Sequence, residues 1–334
     1  MRPVRSRRAA ESPVGLLVNP MAGRDIRRLV ALAPSASGPA KVLAVRRLIR
    51  GVRAVGPLPV VMVDDPEGLA FQVAREEPDI TILSGPVRLT GDALTGAWVE
   101  RLQGAGVRVL ISVGGDGTQR AVAKTGTDLF VLPVAGGTNN VSCWSGEDTL
   151  AGMAAARVAL GRAPRSAIRR VKRLRITPAG GLPDLALVDA AHVATPFTGA
   201  LAVYRGELVS TLVLTIADAT RPGLSNLGGF LDPVSADDDW ALVVRLGRRG
   251  RLAPAILAPG LVEQVRVAGV ERIALGQPVT LMMAEASTVA VDGERTITLK
   301  AGQSVEICPE RTGPLFIDPV QAVAGWRPRR RPAP

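Results

Sequence analysis

An apolar stretch, Val107 to Val113, runs straight into Gly114-Gly115-Asp116-Gly117-Thr118, and a helical pattern begins at Thr118. A strand that ends in glycines and opens into a helix leaves bare backbone N–H groups at a helix N-terminus, where those groups and the helix dipole both favour an anion. Glycine lets the backbone come close to a ligand. An aspartate in such a loop repels phosphate unless it binds a metal, takes a proton from an attacking hydroxyl, or holds a ribose. All three roles belong to phosphoryl-transfer chemistry.

The same strand–loop–helix unit recurs along the first half. Val14–Val18, Leu58–Val63, Ile80–Leu83, Val107–Val113 and Leu129–Val134 read as strands. Ile26–Leu32, Val42–Val55, Leu69–Arg75, Ala93–Leu102, Ala121–Lys124 and Leu150–Leu160 read as helices, the last with small residues facing a partner. This alternation predicts a doubly wound parallel α/β sheet, with ligands bound beyond the carboxyl ends of its strands. A basic cluster, Arg162 to Arg175, marks the expected boundary. Beyond it, short strand candidates separated by turn signals (Leu185–Asp189, Leu208–Ala217, Ala241–Leu246, Val262–Val267, Val279–Met283, Thr288–Val291, Val305–Ile307) predict a β-rich, sandwich-like second domain. The expected division is a basic tail at 1–12, an α/β nucleotide-binding domain at 13–165, a β-rich substrate and oligomerisation domain at 166–323, and a second basic tail at 324–334.

Charge placement matters more than the net value of +11. Arg2, Arg5, Arg7 and Arg8 against Glu11 at one end, with Arg327, Arg329, Arg330 and Arg331 at the other, supply +7 of it. Both tails contain proline and read as disordered and solvated. No specific nucleic-acid partner is expected from them. At 334 residues and 47% hydrophobic but only 3% aromatic content, the core must be built from Ala, Val, Leu and Ile. Cys143 and Cys308 are too few for a disulfide framework and lack metal-ligand spacing. No apolar run approaches the roughly 20 residues of a membrane span, and no signal core follows Arg8, so a cytoplasmic protein without a transmembrane segment is expected. His192 is the single histidine, and no Gly-x-Ser-x-Gly elbow supports a hydrolase triad. The glycine spacing is also wrong for a Gly-x-Gly-x-x-Gly dehydrogenase loop.

Three motifs carry a resemblance that covers most of the chain in order, from about Val14 to Val323. The GGDGT run resembles the signature of the superfamily that joins NAD kinases with diacylglycerol and sphingosine kinases. Asn19-Pro20-Met21-Ala22-Gly23-Arg24-Asp25-Ile26-Arg27-Arg28-Leu29-Val30, Gly117 to Lys124, and Gly137-Thr138-Asn139-Asn140 resemble the NAD-kinase-like acetoin catabolism protein X family. The resemblance implies an NAD-kinase-like fold with its active site between two domains, and an ATP-dependent phosphotransferase using Mg²⁺. It implies that Asp116 activates the acceptor hydroxyl or organises Mg²⁺ and phosphate. It places Asn19, Gly23, Arg24, Gly114, Gly115, Gly117, Thr118 and Arg120 at the nucleotide phosphates. Gly137, Thr138, Asn139, Asn140 and Asp189 are placed at the acceptor. Asp292 and Glu294, in an Asp-Gly-Glu segment like that of the lipid kinases, fall near the active site. Asp292-Gly293 also favours a hairpin turn. The acceptor implied first is the adenosine-ribose 2′-hydroxyl of NAD, giving NADP. Val141-Ser142-Cys143-Trp144 departs from the glycine-rich continuation of NAD kinases, so a lipid, a sugar alcohol or another small cofactor stays open. A nucleotide-sensing regulator without turnover also stays open. The resemblance further implies a homodimer or homotetramer.

Overall fold

The computed structural model describes residues 12–24, 26–32, 37–85, 89–196 and 202–326. Most of both basic tails, and Asp25 of the first motif, lie outside the described residues.

The first half folds as β1 (Val14–Val18), α1 (Arg27–Val30), α2 (Gly38–Val55), β2 (Val60–Val63), α3 (Leu69–Glu76), β3 (Ile80–Leu83), α4 (Gly91–Gly104), β4 (Val109–Gly114), α5 (Asp116–Lys124), β5 (Phe130–Ala135) and α6 (Asp148–Ala159). The five strands are parallel, in the order β3-β2-β1-β4-β5. They are near-continuous apolar runs because helices cover both faces. On one face Val45, Leu48, Ile49 and Val52 of α2 pack against Ala151, Ala154 and Ala155 of α6. On the other, Val99 and Leu102 of α4 and Val122 of α5 cover Leu17, Leu110 and Val131. The partner that the small residues of α6 were expected to face is therefore α2.

The second half begins with β6 (Ile168–Arg170), β7 (Arg173–Pro178), β8 (Asp184–Ala186), β9 (Asp189–Val193) and β10 (Val209–Leu214). It continues through α7 (Leu224–Leu231), β11 (Trp240–Ala258), β12 (Leu261–Ala274), β13 (Val279–Met282), β14 (Ser287–Val291), β15 (Glu294–Leu299), β16 (Ser304–Glu310), β17 (Leu315–Ile317) and α8 (Pro319–Val323). Two antiparallel sheets form, β12-β11-β10-β9-β14-β15 and β13-β16-β7-β8. Their facing sides share one apolar layer, in which Leu174, Ile176, Val213, Val243, Val289, Val305 and Ile307 are fully buried. The α/β plus β-sandwich architecture is thus the expected one.

The expected division at 165/166 and 323 does not follow the sheets. β6 and β17 extend the parallel sheet beyond β5, β17 running parallel to β5 and β6 antiparallel to β17. The chain leaves the first sheet at Lys172 and returns to it at Leu315, so two crossings join the halves. The basic cluster read as a boundary is largely strand: Arg175 on β7 pairs with Glu306 at 3.1 Å and Glu310 at 2.7 Å on β16. The glycine-rich segment around Gly223–Asp232 contains helix α7.

Candidate functional site

The strand order reverses direction between β1 and β4, and the loops after β1, β2, β3, β4 and β5 all emerge at the same end of the sheet. Ligands in open α/β sheets bind at this switch point. The loop after β1 is fixed from below by Lys41 of α2. This lysine is buried, and its ammonium donates to the carbonyls of Pro20, Ala22 (3.0 Å) and Asn19 (3.5 Å). Asn19 then spans the switch point. Its backbone N–H donates to Val113 O at 2.9 Å and its side-chain amide to Thr118 Oγ1 at 2.9 Å.

The two glycine loops, after β4 and β5, lie backbone against backbone. A Cβ on Gly115 would sit 2.8 Å from the Asn139 carbonyl oxygen, and one on Gly137 would sit 2.6 Å from the Gly115 Cα. Gly136 N–H donates to Gly114 O (3.0 Å) and Asp116 N–H to Asn139 O (3.1 Å). These glycines are therefore needed for the loops to meet at all, whatever ligand they serve.

Asp116 is the first residue of α5 and is 2% exposed. Its carboxylate accepts from Val141 N–H (2.9 Å), Ser142 N–H (2.8 Å) and the Ser142 hydroxyl (2.7 Å). Oδ1 takes both Ser142 donors, with the Cys143 thiol at 4.0 Å, and Oδ2 takes only Val141 N–H, so one Oδ2 lone pair is left, and the side chain brackets the loop after β5 to α5. It still borders the cleft.

That cleft holds about 550 Å³, within the range of small-molecule sites. Of the residues expected to act, Asn19, Gly23, Arg24, Gly115, Asp116, Gly117, Thr118, Gly137, Thr138, Asn139, Asp292 and Glu294 line it. Thr138 Oγ1 and Asn139 Oδ1 are buried and have no hydrogen-bond partner. Arg24 is held across the mouth by Glu67, one of its two contacts being 2.7 Å.

Four expected residues are placed elsewhere. Gly114 lies beneath the loop. Arg120 is buried and does not line the cleft itself; it lies 3.8 Å from Asp92, which does, and 3.9 Å from Asp184. Asn140 closes its own turn, accepting from Gly137 N–H (3.0 Å) and donating to Gly137 O (2.7 Å). Asp189 sits behind the cleft, accepting from Gly293 N–H at 3.2 Å. Each lies on the right loop or strand but turns inward, and Arg120 Nε and Nη1 are buried with no hydrogen-bond partner.

The second half enters the cleft through one hairpin. Asp292 (φ 49°) and Gly293 (φ 77°) form the two-residue turn between β14 and β15, as the Asp-Gly pair predicts. The Asp292 carboxylate accepts from Leu187, Val188 and Asp189 N–H groups, at 2.8 to 3.3 Å. Burial pushes its pKa up to about 7, the Arg120 guanidinium opposing and the Asp116 charge adding. Burial, with the charges of Asp292 and Asp116, drives Asp189 well above the usual carboxylate range. The hairpin sets Glu294 over Gly117, its carboxylate 3.7 Å from where a Gly117 Cβ would be. The Glu294 carboxylate has no hydrogen-bond or ion-pair partner among the described residues.

Several further residues line the cleft. Arg27, buried in α1, lies against the Gly293 turn. Asp92, Thr95 and Trp98 line the cleft from α4, and the Trp98 indole N–H is buried without a partner. Arg27 falls inside the first motif and was findable there; the α4 residues show only helical periodicity. His192, left out of the catalytic set, lies on β9 against Ser210 of β10 and does not line the cleft.

Residues 172–312 match the model of the acetoin catabolism protein X C-terminal domain. The chain is 34% identical over 317 residues to acetoin catabolism protein X of Cupriavidus necator, covering 88% of this chain and 86% of that protein. Among solved structures, it is similar to yeast NADH kinase complexed with NADH (TM-score 0.51, 13% identity, 98% of this chain and 91% of that one). It also matches a putative diacylglycerol kinase from Bacillus anthracis str. Sterne (TM-score 0.49, 12% identity, 92% and 96%). The fold is that of the NAD kinase-like proteins, and the chain belongs to the acetoin catabolism protein X family.

Proposed function

We propose that this protein is an ATP-dependent kinase that transfers a phosphoryl group to a hydroxyl of a small molecule. The observation that carries the reading is the cleft itself. Two glycine loops meet at the switch point, an aspartate lies between them, and the lining includes Thr138 and Asn139, whose Oγ1 and Oδ1 are buried without a partner. The loops and the start of α5 suit the phosphates of a nucleotide. Thr138 and Asn139 offer the polar contacts that a ribose or base edge needs. Asp116 keeps one lone pair for the acceptor hydroxyl. Held at the junction by Val141 and Ser142, it is placed to orient that hydroxyl and take its proton as the oxygen attacks phosphorus.

A divalent ion fits this donor set in a limited way. Among the described residues no three acidic, His or Cys side chains converge on a metal site. Mg²⁺ asks for less than that, because it keeps waters and binds substrate phosphates through one or two protein carboxylates. Glu294, unpartnered beside Gly117, is the carboxylate that would hold it; bound there, it would offset charge on the phosphates.

As acceptor we favour the 2′-hydroxyl of the adenosine ribose in NAD or a related dinucleotide; the shared fold of the yeast NADH kinase complexed with NADH supports this reading. The nucleotide-sensing alternative gains nothing from Glu294, an unpartnered acid beside a phosphate site. The reading is tested with γ-labelled ATP and Mg²⁺ against NAD, NADH, diacylglycerol, a sphingoid base and small polyols. Label in a phosphorylated dinucleotide supports it in full. Label in another acceptor keeps the kinase and replaces the acceptor. Tight ATP binding with no labelled product from any acceptor overturns it.

A further inference from the structure

A second cavity, also about 550 Å³, lies on the far side of the Asp116–Ser142 hydrogen bond. Ser142 lines this cavity and Asp116 lines the first, so the pair forms the partition between them. Its floor is apolar, with Val141, Val171, Leu187, Ile216 and Phe316. Two cations stand on one wall, at the point where the chain passes from the parallel sheet to the sandwich. Lys172 is 2% exposed, and among the described residues its ammonium has a single acceptor, Trp240 O at 2.8 Å. Two of its three N–H donors are therefore unspent. Arg169 holds Asp237 through one terminal nitrogen at 3.2 Å, while its Nε is buried with no partner. The acids on the walls are engaged already: Asp218 accepts from the Thr220 N–H (2.8 Å) and hydroxyl (2.7 Å), and Asp237 faces Arg169.

A buried ammonium with unspent donors is costly unless something accepts from it. Both cations here are donors only, so the missing partner is an acceptor of negative charge. We propose that this cavity seats the acceptor substrate by an oxyanion group, a phosphate or a carboxylate, held by Lys172 and Arg169, and so excludes neutral lipids and polyols. The inference rests on the kinase reading for the word acceptor, but the anion site itself does not.

Burial pulls the Lys172 pKa down to about 8, aided by Arg311 and opposed by Asp237, Asp238 and Asp239. The side chain is thus still charged at neutral pH, and Arg169 lines the same cavity. Affinity for the oxyanion falls as pH rises through about 8.

The test measures binding without turnover. Glycerol 3-phosphate, glycerate and glycerol are titrated calorimetrically into the full chain, with Mg²⁺ and saturating ADP filling the cleft. The expected result is binding of one or both anions and none of glycerol. Lys172→Met weakens that binding about tenfold or more, the loss of a charge-assisted hydrogen bond. Lys172→Arg retains it, and Arg169→Gln weakens it independently. Lys172→Met is close to isosteric, and its melting curve reports whether it folds. A preference for phosphate over carboxylate, or the reverse, identifies the group. No anion binding, displacement of the anion by ADP, or unchanged affinity in both folded variants overturns the proposal. Anion binding in a protein that never consumes ATP leaves the site standing and removes the kinase reading.

Discussion

On one side of the Asp116–Ser142 hydrogen bond, the walls are largely backbone. Gly115, Gly117 and Gly137 bring main chain to the cleft, and the acids nearby, Asp116 and Asp292, are clamped by N–H groups. On the other side the wall is side chain, with buried Lys172 and part-exposed Arg169 above an apolar floor. A backbone wall gives a fixed arrangement of donors that no single side-chain change removes, which suits phosphates shared by every nucleotide. A side-chain wall is specific and alterable, which suits the partner that varies from one enzyme to another. On the proposed reading, the first cavity takes the shared substrate and the second the particular one.

The largest effect expected is from cutting the partition. Asp116→Ala leaves the Val141 and Ser142 N–H groups without their acceptor. Each unsatisfied buried donor costs about 1–3 kcal/mol, so thermal unfolding will show a marked loss of stability as well as loss of turnover. Unchanged melting would show that the carboxylate does not bracket the loops. The backbone wall is tested next. Gly137→Ala drives a Cβ to 2.6 Å from the Gly115 Cα and should cost about 1–3 kcal/mol, read by denaturant unfolding, with weaker ATP binding. Gly104→Ala, at the end of α4 with nothing within 4 Å, is the control, neutral or stabilising by up to about 1 kcal/mol.

Glu294→Gln separates chemistry from fold. With no partner to lose, the variant should melt like the parent, while turnover falls about tenfold or more if the carboxylate serves the phosphates. Equal loss in both measurements would make Glu294 structural.

The smallest effect concerns pH. Asp292 has its folded pKa raised from 3.8 to about 7, so the folded state binds its proton more tightly than the unfolded chain. Its contribution is full below about pH 4 and is lost as pH rises through about 7, at a slope of at most about 1.4 kcal/mol per pH unit. Asp292→Asn, which tolerates the positive φ, should flatten that part of the stability profile. An unchanged profile would place the titration on Asp189 instead.

How far these regions were legible in the sequence follows the range of their contacts. The parallel sheet was readable because each strand is a continuous apolar run and each loop follows it directly. The Asp292-Gly293 turn was readable because two residues determine it. The β11–β12 ribbon was read as two short strands, since Arg248 to Leu252 is exposed and shows no apolar alternation; the ladder to β12 is interrupted there by a bulge, Leu246 and Arg251 both facing Val267, and resumes beyond it. The bracket from Asp116 to Ser142 spans 26 residues and has no local pattern. Arg120 and Asn140 stood within the motifs but turn inward, and only side-chain geometry separates such residues from those that face the cleft. The second cavity was invisible for the same reason, its walls coming from the loop after β5, the β6–β7 junction and the segment after β10.

The most direct test of the central claim compares wild-type and Asp116→Asn protein for Mg²⁺-dependent transfer of labelled phosphate from ATP to NAD and the other acceptors, with melting curves and ATP affinity measured on the same samples. The account predicts labelled acceptor from the wild type and none from a folded, ATP-binding Asp116→Asn. Full transfer by that variant would contradict it.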